Sequence, residues 1–398
     1  MARAVTGDHV LFNECIPLFR PETIRVKQTE NKLTGYLLLD FSLAEVLTFS
    51  HFSIYPTIEV KLPGAYSAFI APVLLPDWFE WHQNAHLFTI ALAAVCSFVT
   101  GRPVKAPRDG YLTDHKQLDD DCLGELAIQH PILTAGPGAH DIRLSQKTLR
   151  KIKILLQETI QLLFDLPYNL YTKAMQSIRL VHLAHLNKRE DFGLSYYLLI
   201  SAMEPMATSA IKRKVVASKN PLLDQWNEIA KTHPEFEHLL TAYKQEIGKN
   251  KLIGKRFVEF VMKYCPPVQW GELEHPRENS FSYISEISKH SNDWSSVTEK
   301  QWFEVYPEDL NEEQIRKLLS DCYNQRSRFT HEGENPPHKS PESSNRFFDK
   351  ETIVDYDNKT KELCRIYEIV LPNFRPISFI AKMSIINYLR EKSKVMNT

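Results

Sequence analysis

An arginine and a histidine stand five positions apart, Arg326 and His331, in the stretch Tyr323-Asn-Gln-Arg-Ser-Arg-Phe-Thr-His-Glu-Gly333. From Ile315 the apolar residues recur at helical spacing through Leu318, Leu319, Cys322 and Phe329, and Arg326 falls on that stripe, four after Cys322 and three before Phe329. A guanidinium so placed must be paired or face a wet cleft. Asn324, Ser327, Arg328 and His331 follow i, i+3, i+4, i+7 and make a second, wholly polar stripe that solvation alone would not require. Gly333, followed by Pro336 and Pro337, ends the helix, so His331 lies in its last turn, where the helix dipole favours a cation. An imidazole suits proton transfer at physiological pH, a step typically worth ~10²–10⁴-fold in rate, and the arginine fork matches two phosphate oxygens. Together they point to phosphodiester chemistry, with Arg326 and His331 as the candidate catalytic pair.

Five residues of helix carry a side chain about 140° beyond a full turn, so Arg326 and His331 do not stack on one face. They converge where the helix loosens near His331, or where two copies of the helix meet around a dyad and each supplies part of a shared cleft. The dimer is the expectation.

The segment Arg326-Ser-Arg-Phe-Thr-His331, arginine, four residues, histidine, resembles the HEPN motif, and the flanking Tyr323 and Gly333 resemble the ApeA-type branch of that family. Upstream, Tyr168 to Leu186 leading into Phe192-Gly-Leu-Ser-Tyr-Tyr-Leu-Leu-Ile-Ser-Ala-Met-Glu204 resembles the family's helical pair, and a closing helix from Thr352 to Arg390 fits the same layout. The resemblance covers about residues 145 to 395. It departs at Ser327, where many HEPN nucleases carry Asn, Asp or His, and at Glu332, which separates His331 from the glycine that often follows directly.

The resemblance implies an α-helical domain that dimerises and cleaves RNA without metal. The histidine would act on the ribose 2′-hydroxyl and the arginine would hold the scissile phosphate, leaving a 2′,3′-cyclic phosphate and a 5′-hydroxyl. Arg326 and His331 take those roles, and Ser327 takes the polar position that orients substrate or histidine. Tyr323, Asn324 and Arg328 are the further substrate-positioning candidates. Glu204, near a helix end and before Pro205, either pairs with Arg326 or is solvated. Proteins joining such a domain to an N-terminal module often serve in defence against phage, the front sensing infection and the back destroying RNA.

At 398 residues, 43% of them hydrophobic, the chain has length for two domains with proper cores. Lys plus Arg is 48 against 49 for Asp plus Glu, so no global positive field advertises nucleic acid, and RNA contact must come from a local patch. Two runs qualify: Ile211-Lys-Arg-Lys214 with Lys219, and Lys249, Lys251, Lys255 and Arg256. Six cysteines lie far apart with no Cys-x-x-Cys pair, which reads as reduced and intracellular. The first twenty residues carry Asp8, Glu14 and Arg20, and the longest apolar stretch, Leu87 to Val99, is too short to span a bilayer, so a cytoplasmic protein without membrane contact is expected. His182 with His185 and His82 with His86 lack a third ligand, and no Walker A or Gly-x-Gly-x-x-Gly element is present. No metal or cofactor is expected.

Residues 1–140 read as a mixed α/β module, with strands at Thr34 to Phe41, Phe52 to Leu62 and Ala68 to Leu75 and an apolar helix from His86 to Thr100. The stretch 104–145 reads as loop, punctuated by Pro107, Gly110, Gly136 and Gly138. From Ser145 helical periodicity dominates, and residues 145–398 are expected to form an all-α HEPN-like domain, giving an α+β chain. Residues 266–310 read as an insertion, and Glu332 to Lys350 as a mobile loop that gates the site. The N-terminal module has no chemical motif; Tyr66, Trp78, Phe79 and Trp81 form either its core or a surface for a ligand or a phage-derived trigger. Two functions of different class stand. One is a dimeric, metal-independent endoribonuclease acting in phage defence or as a toxin. The other is a non-catalytic HEPN-like module binding RNA or protein, in which Arg326 is a structural ion pair.

Overall fold

The structure is a computed structural model and describes residues 8–21, 33–62, 66–79, 85–108, 113–114, 118–132, 143–217, 220–249, 251–274, 304–338, 343, 345–356 and 363–396. It is an α+β chain, with a sheet region first and a mostly helical part after it. The sheet is antiparallel, built on β1 (Leu33–Leu39) and β5 (Tyr66–Leu74), with β2 (Leu47–Thr48), β3 (Ser53–Ile54), β4 (Ile58–Leu62), β6 (Val104–Lys105) and β7 (Thr113–Asp114) on their flanks. The central pair runs in register from Thr34 opposite Leu74 to Leu39 opposite Phe69.

Side chains alternate along a strand, and here both faces are covered. Leu37, Leu39, Phe69, Ala71 and Val73 face one apolar cluster, whereas Tyr36, Leu38 and Ile70 face a second, closed by α3 (Asp120–Gln129) through Leu123, Leu126 and Ala127. Burial on two sides explains why β1 reads Leu-Thr-Gly-Tyr-Leu-Leu-Leu. Helix α3 and the strands β6 and β7 correct the expectation of loop from 104 to 145. Its Asp119 cap, which accepts from the Cys122 N–H at 2.8 Å, and three apolar positions were too short a signal beside a glycine at 124.

Helix α2 (His86–Thr100) is buried on nearly every side. A helix apolar all round has no face to give to solvent, and α2 packs against β1 and β6, against α1 (Asp8–Phe19), and against α4 (Gln146–Asp165) and α5 (Tyr168–Asn187). One apolar cluster therefore runs from Phe12 through α2 to Leu389. Trp78 and Phe79 pack into it beside Phe88; Trp81 and the Tyr66 side chain lie outside the described residues.

In the helical part, α4 is capped by Ser145, and α6 (Phe192–Ala210) by Asp191. Helix α6 runs past Pro205 to Ala210, so Glu204 sits inside it rather than at its end. The proline removes a hydrogen bond from the Ser201 carbonyl, and full burial of Met206 and Ala207 offsets that loss. After α7 (Arg213–Val216), α8 (Leu223–Thr232), α9 (Pro234–Lys249) and α10 (Ile253–Tyr264) comes α11 (Glu312–Glu332), started by a reciprocal Asn311–Gln314 capping box and ended by Gly333 at φ 70°. Helices α6, α10 and α11 pack on one another. The ends of the expected insertion are ordered 3-10 turns at Pro267–Glu272 and Pro307–Asp309; its residues 275–303 lie outside the described ones.

The helical region is not all-α. In place of a closing helix from Thr352, strands β8 (Phe348–Tyr356) and β9 (Leu363–Pro372) form a hairpin, and only then does α12 (Phe374–Met396) begin. The β-branched Thr352, Ile353 and Val354 pair with Glu368, Tyr367 and Ile366, contacts that a pleated ladder rewards more than a helix does. Asn373 marks the change of conformation, its side chain accepting from the Arg375 N–H at 3.2 Å.

Candidate active site

Arg326 leaves α11 toward α6. Its Nη2 donates to Glu204 Oε2 at 3.1 Å and its Nε to Ser201 Oγ at 3.4 Å, while Nε also lies 2.8 Å from Glu204 Oε1. That last approach is an ion-pair distance whose N–H is not aimed at the oxygen, for Oε1 receives no hydrogen bond. The guanidinium also stacks over Tyr197, 5.2 Å from the ring centroid, and lies 6.0 Å from that of Tyr323. The paired side chains are only 18% and 17% exposed. Nη1 makes no hydrogen bond among the described residues.

Burial is the largest influence on Glu204 and raises its pKa; the Arg326 charge and the Tyr323 hydroxyl pull it down without reversing the direction. Tyr323 is pushed up to about 12, by burial first and by the Glu204 charge second. These groups form one electrostatic unit. Tyr197, Ser201 and Glu204 repeat at i, i+4, i+7, so α6 carries a polar line on an otherwise apolar helix. Tyr197 and Ser201 were legible by that spacing and were not among the expected site residues.

His331 is exposed in the last turn of α11, and no hydrogen bond or ion pair holds its ring among the described residues. The helix stays α-helical through Glu332 and closes on Gly333, whose N–H donates to the Arg328 carbonyl. The backbone does not loosen to bring His331 round to Arg326, so one copy does not join the two side chains on one face. Asn324 is exposed and Ser327 half-buried; Arg328 is exposed and lies 3.7 Å from Glu334. The chain after the helix is pinned rather than loose: Gln325, buried, donates to the carbonyls of Glu334 and Asn335 at 3.3 and 3.0 Å, and His338 packs on Phe192 and Tyr196 while bonded to the Pro372 carbonyl. Residues 339–342 and 344 of the expected gating loop lie outside the described ones.

The other histidines of interest are interior. His182 bonds the Val104 carbonyl at 2.7 Å and His185 the Ser378 hydroxyl at 3.1 Å, and burial lowers their pKa to about 4 and about 3. His82 lies outside the described residues. Among those residues no group of three or more His, Cys, Asp or Glu side chains is gathered as a metal site would need, and no helix is long and apolar enough to cross a membrane. Comparison with family models, with curated proteins and with solved structures finds no match to this chain.

Proposed function

We propose that this chain is a metal-independent endoribonuclease of the HEPN type whose site is completed by a second copy. The observation that carries the reading is the state of Arg326: its fork is oriented by Glu204, Ser201 and Tyr197, yet among the described residues Nη1 keeps its donors. An oriented guanidinium with free N–H groups suits a phosphate. His331 is exposed and unengaged among the described residues, as a group that must reach a substrate held by another copy would be. In this mechanism His331 takes the proton of the ribose 2′-hydroxyl, whose oxygen attacks the adjacent phosphorus. The P–O bond to the next nucleotide breaks, leaving a 2′,3′-cyclic phosphate and, after proton return, a 5′-hydroxyl. Arg326 stabilises the charge on the non-bridging oxygens. Defence against phage, or toxicity to the host cell, is the role we attach to this activity, with the N-terminal region receiving the trigger.

A second reading has its own support. Because Glu204 already satisfies one side of the fork, Arg326 also serves as a structural ion pair in a non-catalytic helical module.

The test is induced expression of wild type, His331→Ala and Arg326→Gln in a bacterial host, with and without phage challenge, and analysis of RNA ends. Fragments ending in 2′,3′-cyclic phosphate in the wild type alone support the ribonuclease; cleavage that survives both substitutions sinks it. Mixing the two inactive variants tests the shared site. Random pairing puts half the dimers in mixed form, each with one intact site, so about a quarter of wild-type activity returns if Arg326 and His331 come from different copies.

A further inference from the structure

The two basic runs of the sequence meet in space. Where α6 ends, carbonyls at its C-terminus lack helical partners, and Arg256 of α10 fills them, donating from Nε to Ile211 O at 2.7 Å and from Nη2 to Thr208 O. Its Nη1 reaches Lys251 O at 3.5 Å. One guanidinium thus clamps the run 212–214 beside the run 251–255 and is itself consumed as a brace, so its charge is not the one on offer. Lys212, Lys214, Lys251 and Lys255 stay exposed, and none makes an ion pair or a side-chain hydrogen bond among the described residues. Four like charges with no acidic partner among the described residues repel one another.

The patch abuts the proposed site through one ring. A Cβ on Gly254 would lie 2.9 Å from Tyr323 Cδ1, so the Tyr323 ring rests against the backbone between Lys251 and Lys255. Tyr323 also interacts with Glu204 and lies 6.0 Å, ring centroid to guanidinium, from Arg326. A polyanion laid across α7 and the start of α10 would therefore lie one aromatic ring away from Arg326. This contiguity favours a nucleic-acid strand over an isolated anion.

We propose that Lys212, Lys214, Lys251 and Lys255 form a backbone-binding track for single-stranded RNA that leads into the Arg326 site. The track rests on the ribonuclease reading for its ligand, and binding is measured apart from cleavage. The probe is a labelled 2′-O-methyl oligouridine, which lacks the attacking hydroxyl, titrated into the full chain by fluorescence anisotropy. Each phosphate neutralised on a single strand contributes about −0.7 to the slope of log K against log salt, so four contribute about −2.8. Between 50 and 200 mM salt the wild type should lose about 50-fold more affinity than the variant with all four lysines changed to Gln. An equal charge change at Arg143, just before α4, and at Lys147, Arg150 and Lys153 on α4 should leave the slope as in wild type. Equal slopes in wild type and the four-lysine variant overturn the track, whether or not RNA is cut. Loss of slope in that variant, with no cleavage by any preparation, upholds the track and removes the catalytic reading. Wild-type binding to phosphatidylserine vesicles but not to the oligonucleotide also overturns it.

Discussion

Replacing Arg326 by alanine strips a carboxylate that is 17% exposed of its counter-ion. Exposed ion pairs are worth about 0.2–1 kcal/mol, and removing one partner of a buried pair costs about 3–5 kcal/mol. At 18% and 17% exposure this pair lies toward the buried limit, so Arg326→Ala should cost about 2–4 kcal/mol at neutral pH. Glu204→Ala should cost less, about 1–2 kcal/mol, because the guanidinium keeps Tyr197 at 5.2 Å and Ser201 at 3.4 Å. The double variant should then fall short of the sum by about 2 kcal/mol, the coupling of groups in direct contact.

The pH dependence of that cost has a definite sign. Burial already raises Glu204, and Arg326 opposes the rise, so its removal lifts the folded-state pKa further. The folded variant then holds a proton that the unfolded chain releases at the ordinary glutamate value, and its stability relative to wild type falls as pH rises through that window. Urea denaturation of the four proteins near pH 5 and pH 7.5, followed by circular dichroism, measures both effects. Additivity within about 0.5 kcal/mol at both pH values, or an Arg326→Ala cost typical of a surface site, would refute the reasoning. A confirmed cycle means that lost activity in Arg326→Ala cannot by itself separate chemistry from folding.

His331→Ala should change stability by no more than about 0.5 kcal/mol, since the ring is exposed and makes no hydrogen bond or ion pair among the described residues; a larger loss in urea denaturation contradicts this. His182 and His185 remain neutral in the fold down to about pH 4 and about pH 3, whereas the unfolded chain takes up protons near the ordinary 6.5. Each therefore gives stability that is full above that value and lost as pH falls toward the folded pKa, by up to roughly 3 kcal/mol for His182 and roughly 5 kcal/mol for His185. The wild-type minus His185→Gln stability difference should shrink between pH 7 and pH 4, and a constant difference rules this out. Gly254→Ala should destabilise by about 1 kcal/mol, because crowding of the Tyr323 ring outweighs the helix-propensity gain. A rise in the denaturation midpoint would show that the ring gives way freely.

Much of the frame that carries the site could be read from local pattern. Helices α2, α4, α5, α6 and α11 each combine apolar periodicity with a terminal signal, such as Ser145, Asp191 or the Asn311–Gln314 box, and these signals lie within one turn of the segment they end. The hairpin was not legible because its stability is settled by partners across the turn: Val354 matters as a neighbour of Ile366, twelve positions away. Helix α3 failed for a related reason, as three buried residues on a ten-residue segment signify only against the sheet face they cover. The pairing of Arg326 was half visible. The arginine on an apolar stripe and the polar line Tyr197, Ser201, Glu204 on α6 are each patterns of one helix, and their meeting is a tertiary fact.

The same division governs the choice between a catalytic and a structural Arg326. A guanidinium on an apolar stripe demands a partner, and Glu204 is that partner, so a structural role follows from the packing alone. A structural role does not exhaust a group with five N–H donors in a rigid fork. Glu204 and Ser201 engage Nη2 and Nε, and fixing those two sets the plane in which Nη1 points. Holding the donor before substrate arrives removes a reorganisation cost from the reaction. Glu204→Gln separates the two roles, since an amide keeps the shape of the cradle and discards its charge. If Arg326 is structural only, stability falls and RNA binding is untouched. If it holds phosphate, the freed guanidinium loses its aim, and cleavage falls further than binding does.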